Sequence, residues 1–282
     1  MLSVSVVVPF HNRQQFLEEC LESIVRQTRS VGEIILVDDG SSQPSKDFLH
    51  RFRSQIRIVE LPRRQGPAAA RNAGIAAAQG DCVAFLDDDD TWEPDKIQMQ
   101  TAYLESHPEC HGVHTAVTSF FQDGSERLFD KKAPTLTIKR ALRPPSEVTL
   151  SSFLVRTGAI RSVGGFDPAI GACEDLDLGI RLVEAGYRID FLPVPLTRFR
   201  RTGHAHMTNR TLMLLGRRLK VIWKHRKIYD RVRGMGAARW QMADSMYHIG
   251  LAGGGLFGKG VASVGLLLGF TCSLDVRKPD EL

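Results

Sequence analysis

The first ninety residues alternate between apolar runs and amphipathic segments, and this order constrains the fold more than any other feature. Residues 3–9 form a β-branched run that is typical of a strand buried on both faces of a parallel sheet. Residues 13–27 carry apolar positions at helical spacing, and Asn12 is placed to cap that helix. Further strands are predicted over 33–38, 56–61 and 81–87, with a helix over 67–79. This alternation predicts an α/β fold with a mostly parallel central sheet.

The second half of the chain is less regular. Its predicted elements are helices over 96–106 and 175–185 and strands over 113–121, 148–155 and 188–192. We expect the last strand to end before Pro193, and the sequence becomes basic and helical from about residue 204. Residues 245–274 are apolar, but Lys259 and eight glycines interrupt them. The pattern therefore favours a helical hairpin packed on the domain over a membrane-spanning helix, and contact with a membrane surface is the alternative.

Composition narrows the class of protein. The chain has 282 residues, of which 43% are apolar and 24% charged, so disorder, collagen and a coiled-coil rod are excluded. Five scattered cysteines without a CxxC pair argue against a disulfide scaffold or a zinc ribbon and favour a reducing compartment. The N-terminus lacks a basic region, and its apolar run is too short for a signal peptide. We therefore expect a cytoplasmic protein.

The charge is unevenly distributed along the chain. Residues 198–239 contain thirteen Lys and Arg and one acid, which gives +12, whereas the remainder carries −7. Nucleic acid, an anionic membrane surface, a phosphorylated substrate and a merely solvated helix face are the alternatives for such a segment. Because no nucleic-acid reader motif accompanies it, nucleic acid is not an expected partner.

Three unusual loops follow predicted strands: residues 9–12, residues 38–41 and the four aspartates 87–90. The carboxyl ends of parallel strands share one sheet edge, where ligands bind. Four adjacent carboxylates repel one another unless a cation offsets the charge, and hard oxygen ligands suit Mg²⁺ or Mn²⁺. The sequence therefore predicts a metal site that bridges to phosphates. Helix capping is the alternative for Asp90, and turn formation is the alternative for Asp39.

Other residues that could bind a ligand or take part in catalysis lie outside these loops. Arg71 is placed to neutralise a diphosphate, with an exposed helical arginine as the alternative. Asp175 opens a predicted helix, where it is either a general base or an ordinary helix-start acid. His204 or His206 completes the metal site or is structural. There is no GxGxxG after the first strand and no GxxxxGK[ST], which argues against a dinucleotide dehydrogenase and a P-loop NTPase.

Five segments carry a resemblance to a known family. They are, in chain order, SVVVPFHNR, VDDGSS, GPAAARNAGIAAAQGD, FLDDDDTWEPDK and GGFDPAIGACEDLDLGIRL. Together they resemble the family 2 inverting glycosyltransferases of the GT-A fold. The resemblance implies a GT-A catalytic domain over 1–205, with a nucleotide-sugar-binding half (1–95) and an acceptor-binding half (96–205). A basic helical extension over 206–282 follows.

The resemblance also implies roles for individual residues. Asp175 is the implied catalytic base and Glu174 an acceptor-binding residue, while Asp89 and His204 are implied ligands of Mg²⁺ or Mn²⁺. The residues implied to bind the nucleotide are Pro9, His11, Asn12, Asp39, Arg71, Asp87 and Asp88. In the implied reaction Asp175 deprotonates an acceptor hydroxyl, which attacks the anomeric carbon opposite the nucleotide and inverts its configuration.

The resemblance further implies a nucleotide-diphosphate-sugar donor and a glycan or lipid-linked glycan acceptor, as in bacterial cell-surface glycan synthesis. An anionic membrane surface suits the basic segment and its interleaved residues Leu212, Leu214, Leu215, Val221, Ile222 and Trp223. The Gln of the processive synthase motif is missing, so we expect one sugar to be transferred at a time. One alternative is a non-catalytic nucleotide-sugar or glycan-binding protein on the same fold. A nucleotidyltransferase is a second alternative, but it would need a glycine-rich loop after the first strand, where this chain has Phe10, His11 and Asn12.

Overall fold

The first strand, β1 (Val4–Phe10), is buried along all seven residues. The computed structural model describes residues 1–42, 52, 56–121, 123–130, 132–144, 146–201 and 207–253. In this structure β1 lies inside the parallel half of the sheet. Its parallel neighbours are β2 (Glu33–Asp38) and β4 (Cys82–Phe85), and β2 pairs in parallel with β3 (Ile56–Glu60). The parallel arrangement predicted from the first ninety residues is thus observed, because both faces of β1 are covered.

The second half of the sheet is mixed. Its strands are β5 (Thr91–Trp92), β6 (Cys110–Phe121), β7 (Glu126–Phe129), β8 (Leu154–Arg156) and β9 (Arg188–Arg201). Within the described residues the strand order is β3-β2-β1-β4-β8-β6-β9-β5, and β7 pairs with β6 outside this path. β6 and β9 are parallel, whereas β8 is antiparallel to both β4 and β6.

Helices connect these strands. In chain order they are α1 (Gln14–Val25), α2 (Pro67–Ala77), α3 (Lys96–Ser106), α4 (Ile138–Ala141), α5 (Thr157–Ser162), α6 (Glu174–Glu184), α7 (Met207–Lys224), α8 (Arg226–Arg233) and α9 (Ala237–Gly253). A 3-10 turn over Leu150–Ser152 precedes β8. Gly74 allows α2 to lie against β1, because a Cβ at this position would come within 2.3 Å of Val7 Cγ1.

The chain divides into two compact units, Met1–Thr137 with Ser146–Gly203 and Ile138–Pro145 with His204–Leu282. The predicted domain boundaries stay predictions. Helices α4, α7, α8 and α9 belong to the second unit, where the buried Tyr229 hydroxyl donates to the Leu142 carbonyl at 2.7 Å. Among the described residues, no helix has both the length and the apolar character that a membrane span requires. Most of the predicted hairpin over 245–274 lies outside the described residues.

Three local predictions were wrong. Asn12 does not cap α1, since it has a φ of 56° and the helix begins at Gln14 without a side-chain cap. The predicted strand over 148–155 is the 3-10 turn followed by the short strand β8.

The third error concerns β9, which was expected to end before Pro193 but continues to Arg201. Thr115 pairs with Leu192 and Ala116 pairs with Pro195, so two residues of β9 bulge out of the ladder. Proline is tolerated at such an irregularity because no ladder hydrogen bond is required of it there.

Candidate active site

The loops after β1, β2 and β4 meet at one edge of the sheet, as their positions predict. They border a cavity of about 360 Å³. Its lining residues are Pro9, Phe10, His11, Arg13, Asp39, Arg64, Pro67, Ala70, Arg71, Asp87, Asp88, Asp89 and Phe199. Six of the seven residues implied to bind the nucleotide line this cavity. The side chain of the seventh, Asn12, is hydrogen-bonded to the His11 ring.

Hydrogen bonds join the first two loops to the loop before α2. Asp39 accepts the backbone N–H groups of Gln65 at 2.6 Å and Gly66 at 2.8 Å, so both carboxylate oxygens are engaged. His11 Nδ1 donates to the Asp39 carbonyl at 2.9 Å, while its Nε2 accepts from Asn12 Nδ2 at 3.2 Å. Asp39 therefore holds the cavity wall in place. Its implied contact with the nucleobase stays a prediction.

Arg71 lies in α2 and joins the two halves of the site. The side chain is buried, and its guanidinium donates from Nη2 to Asp87 and from Nη1 to Glu174. Burial by itself would lower the pKa of Arg71. The carboxylates of Asp87 and Glu174 outweigh that effect, so the pKa of Arg71 is raised. Arg71 Nε is buried without a hydrogen-bond partner among the described residues. The exposed helical arginine considered as an alternative is therefore excluded.

The aspartates after β4 are partly offset by a second arginine, which sequence reasoning missed. Arg13 Nη1 lies 2.8 Å from Asp89 Oδ2 and 3.4 Å from Asp88 Oδ1, and its side chain is 53% exposed. Burial raises the pKa of Asp88 to about 7, and the neighbouring charge of Asp89 adds to this shift. Burial and Asp87 also raise the pKa of Asp89. The loop thus remains short of positive charge even with Arg13 in place.

Asp90 does not cap a helix, contrary to the alternative considered for it. It is fully buried, accepts the Ser151 hydroxyl at 2.6 Å and accepts the Arg200 backbone N–H at 2.9 Å. Ser151 Oγ also accepts the Asp87 N–H, and the Ser151 carbonyl accepts Trp92 Nε1 at 2.7 Å. Asp90 and Ser151 together hold the loop in position, and no sequence signal identified Ser151.

The carboxylates of Asp88 and Asp89 are of the chemical type that a divalent cation prefers. Asp88 and Asp89 offer hard oxygen donors, and burial together with the neighbouring carboxylates raises the pKa of each, so a nearby cation would favour their ionised forms. Within the part of the chain that the structure describes, no cluster of three or more His, Cys, Asp or Glu forms a metal site. Magnesium commonly takes one or two carboxylates and completes its shell with phosphates and water. His204 and His206 lie outside the described residues.

Glu174 and Asp175 begin α6 on the other side of Arg71. Burial raises the pKa of Glu174 to about 6 against the opposing effect of Arg71, and Glu174 Oε2 is buried without a partner among the described residues. Burial likewise raises the pKa of Asp175 to about 6, although its Oδ1 accepts the Leu176 N–H at 2.8 Å. Asp175 is therefore a carboxylate whose pKa suits proton transfer near neutral pH.

Two more residues position this side of the site. Asn72 follows Arg71 in α2, accepts the Phe166 N–H at 2.8 Å and donates to the Phe166 carbonyl at 2.7 Å. It thereby ties α2 to the segment that leads into α6. Lys132 donates to the Glu147 carbonyl, and burial lowers its pKa to about 8 although Glu147 and Asp175 oppose the shift. Lys132 is far from Asp175 in sequence, and no motif pointed to it.

The family model for glycosyl transferase family 2 matches residues 5–164. The chain belongs to this family. The resemblance found in the five motifs is confirmed, and the family places the chain among enzymes that transfer sugars. The GT-A fold is confirmed as well.

Curated relatives are similar over much of the chain. The pre-mycofactocin glycosyltransferase of Mycobacterium tuberculosis is 34% identical over 73% of this chain, but the match covers only 43% of that longer protein. The putative teichuronic acid biosynthesis glycosyltransferase TuaG of Bacillus subtilis is 32% identical over 65% of this chain and 73% of its own length. The amylovoran biosynthesis glycosyltransferase AmsE of Erwinia amylovora is 30% identical over 70% and 75%, respectively.

Solved structures share the fold. Residues 1–349 of S. aureus TarS, crystallised with UDP-GlcNAc, superpose with a TM-score of 0.62 at 14% sequence identity. The match covers 96% of this chain and 90% of the TarS chain. Identity at this level shows a common fold.

Proposed function

We propose that the protein is an inverting glycosyltransferase that moves a sugar from a nucleotide-diphosphate-sugar to an acceptor hydroxyl. One observation carries the proposal: Arg71 bridges Asp87, which lines the cavity, and Glu174, which begins the helix of Asp175. A donor in the cavity and an acceptor at Asp175 would therefore lie on either side of one buried cation.

The chemistry follows from the side chains. Asp175 accepts the proton of the acceptor hydroxyl, whose oxygen attacks the anomeric carbon on the face opposite the departing nucleoside diphosphate. Glu174 Oε2, the buried atom without a partner, binds an acceptor hydroxyl and orients it. Because the attack is a single displacement, the configuration at the anomeric carbon inverts and no covalent enzyme intermediate forms.

Two arginines and a divalent cation offset the negative charge of the departing diphosphate in this proposal. Arg71, which lines the cavity beside Asp87, offers its positive charge to the diphosphate, and Arg13 adds an exposed cation next to Asp89. Asp88 and Asp89 would hold a divalent cation, Mg²⁺ or Mn²⁺, which neutralises diphosphate charge when bound. The implied ligand His204 remains part of the proposal.

The names of similar proteins suggest the substrates. TarS was crystallised with UDP and UDP-GlcNAc, which supports a UDP-sugar as the donor to test first. TuaG and AmsE are named for the biosynthesis of teichuronic acid and amylovoran, which supports a bacterial cell-surface glycan as the product. We place the reaction on the cytoplasmic side of the membrane.

Donor binding is tested by thermal denaturation with UDP-, GDP-, dTDP- and CDP-sugars, each with Mn²⁺, Mg²⁺ or EDTA. We expect stabilisation by one nucleotide series only, lost in EDTA. A ligand at a hundred times its Kd adds about 2.7 kcal/mol to the free energy of unfolding. Asp89→Asn should lose the metal-dependent part, whereas the control Asp123→Asn, in an exposed turn, should not. Absence of a shift with every donor would contradict the proposal.

We also infer that the second unit binds an anionic membrane surface. One face of α7 exposes Met213, Lys220, Trp223 and Lys224 at spacings of three, four and seven residues, and the Trp223 side chain is 59% exposed. The Arg226 guanidinium lies 4.6 Å from the centre of the Trp223 ring. An aromatic residue among cations is typical of interfacial helices. Of the apolar residues first assigned to this surface, Leu215, Val221 and Ile222 are instead buried.

Membrane binding is tested by sedimentation with vesicles containing anionic lipid at low and high salt. Lys220→Gln is expected to weaken binding by about 1 kcal/mol, because each basic residue near such a surface contributes about that much. Trp223→Ala should weaken binding at both salt concentrations. Met235→Ala, which removes an 87% exposed side chain away from α7, is the control and should bind normally. Binding that does not respond to salt would refute this inference.

A further inference from the structure

The edge strand β7 presents two chemically different faces. All four of its residues are exposed, and in a strand successive side chains point to opposite faces. Arg127 and Phe129 share one face, where the Arg127 guanidinium lies 5.1 Å from the centre of the Phe129 ring. Glu126 and Leu128 occupy the other face.

The strand register extends the first face across β6 to β9. Arg127 pairs with Ser119, and Ser119 pairs with Phe199, so these three side chains form one row. Arg201 belongs to the same face, because its Nε donates to Ser119 Oγ at 3.4 Å and its guanidinium lies 4.5 Å from the centre of the Phe199 ring. With Phe121 they form an arginine–aromatic face, defined as Phe121, Arg127, Phe129, Phe199 and Arg201.

This face is continuous with the cavity of the candidate active site. Phe199 lines that cavity together with Asp88 and Asp89. Neighbouring strands lie about 4.8 Å apart, so Arg127, two strands away, is about 10 Å from Phe199. A ligand that contacts both must be longer than one sugar ring.

The other end of β7 leads toward the proposed base. Three residues after Phe129, the Lys132 ammonium interacts electrostatically with Asp175. The chain that leaves the arginine–aromatic face thus passes within electrostatic range of the proposed base.

The charges of the two faces differ. Arg198, on the opposite face, is paired with Glu126 at 2.6 Å. Arg127 and Arg201 form no ion pair with any residue that the structure describes, and the strand segments 117–121, 126–129 and 197–201 place no carboxylate on their face. Exposed guanidinium groups bind carboxylates and phosphates in bidentate geometry, and exposed aromatic rings provide flat apolar surface for sugar rings. The Phe121 and Phe129 side chains are each 38% exposed.

We propose that the arginine–aromatic face binds the acceptor, and that the acceptor is an oligosaccharide carrying negative charge on a sugar beyond the one that reacts. This inference rests on the proposed transferase function. The aromatic rings hold the sugar rings, and Arg127 and Arg201 hold the carboxylate or phosphate groups. The acceptor class is therefore an anionic glycan rather than a neutral one.

The test is equilibrium binding of three oligomers of equal length to the full chain. The probes are an oligogalacturonate, a glycerol phosphate oligomer and a neutral maltooligosaccharide. At least one anionic probe should bind, more weakly as salt increases, and the neutral probe should not. The two anionic probes distinguish a carboxylate from a phosphate. Arg127→Gln should weaken binding about tenfold, the loss expected for one good charge-assisted contact. Phe129→Ala should also weaken binding, because it removes apolar surface against which a sugar ring packs.

Matched controls lie on the opposite face of the same strands. Arg198→Gln and Leu128→Ala remove an arginine and an apolar side chain there, and binding should be unchanged in both. Equal binding of the neutral probe, equal loss in the controls or no binding of either anionic probe would overturn the proposal. Asp175→Asn should retain anionic binding. A wild-type protein that binds the oligomer but transfers no sugar would refute the transferase function, and with it the role of the oligomer as acceptor, while the binding of an anionic glycan to this face would stand.

Discussion

Replacing Asp175 with asparagine is expected to lower kcat by about 10²- to 10⁴-fold, the contribution typical of a general base. The amide keeps the size of the side chain but cannot accept the hydroxyl proton. KM for the donor should change little, because Asp175 does not line the cavity in which the donor is proposed to bind. The measurement is initial-rate kinetics with the donor and metal identified by the stabilisation experiment.

The pH dependence of wild-type kcat provides a second readout for Asp175. Burial raises the pKa of this carboxyl to about 6, and only its ionised form accepts a proton. Activity should therefore be low below pH 5, rise through about pH 6 and level off above pH 7. Asp175→Asn should lose this rise.

Glu184→Gln is the matched control, because Glu184 is an exposed acid at the far end of the same helix. Its kcat and pH profile should match those of the wild type. Full activity in Asp175→Asn would exclude Asp175 as the base. A wild-type protein that binds donor and acceptor without turnover would favour the non-catalytic alternative.

Removing Arg71 should have the largest effect on stability. Arg71→Met leaves the carboxylate of Glu174, whose side chain is 8% exposed, without its counter-ion, and exposes Asp87 to repulsion from its acidic neighbours. Loss of one partner of a buried ion pair costs about 3–5 kcal/mol, and we expect a decrease of this order at pH 7.5. Urea denaturation followed by circular dichroism measures the change.

The decrease should shrink in mild acid. The pKa of Glu174 is raised by burial to about 6, so the folded state binds the Glu174 proton more readily than the unfolded state does. The ionised form therefore costs folding free energy above pH 6, and Arg71 reduces that cost. Without Arg71 the cost at pH 7.5 increases, whereas at pH 5 Glu174 is protonated in both proteins. The two stabilities should consequently converge as the pH falls.

Arg57→Met tests whether any arginine would have the same effect. Arg57 is exposed and donates to the Ala77 carbonyl at 3.1 Å, so its removal should change the free energy of unfolding by less than about 0.5 kcal/mol. Equal losses in both variants, or a loss in Arg71→Met that is independent of pH, would contradict the ion-pair explanation.

The two arginines also change the interpretation of the aspartate loop. Four consecutive carboxylates predict a metal because of their mutual repulsion, yet Arg13 and Arg71 supply part of the positive charge, and Asp90 is satisfied by Ser151 and a backbone N–H. A cation at Asp88 and Asp89 would therefore bind beside Arg13. Affinity for Mn²⁺ is expected to depend on the donor diphosphate, which supplies the remaining ligands.

The sequence by itself determined the parallel half of the fold and the position of the cavity at the sheet edge. Both follow from local pattern: β1 is a continuous apolar run, and in a parallel sheet the loops after β1, β2 and β4 must share one edge. The five motifs identified the family for the same reason, because each is a short contiguous segment at a strand or helix end.

The tertiary structure alone decided the contacts between residues distant in sequence. Arg71 is separated from Glu174 by 103 positions and Ser151 from Asp90 by 61, so no local pattern relates them. The local sequence also did not predict that β9 continues past Pro193, because proline ends a regular strand unless the pairing contains a bulge. The arginine–aromatic face depends on the register of three strands, and a shift of one residue would turn each side chain to the opposite side. Such long-range pairings are set by packing of the whole sheet, which is why only the folded chain shows them.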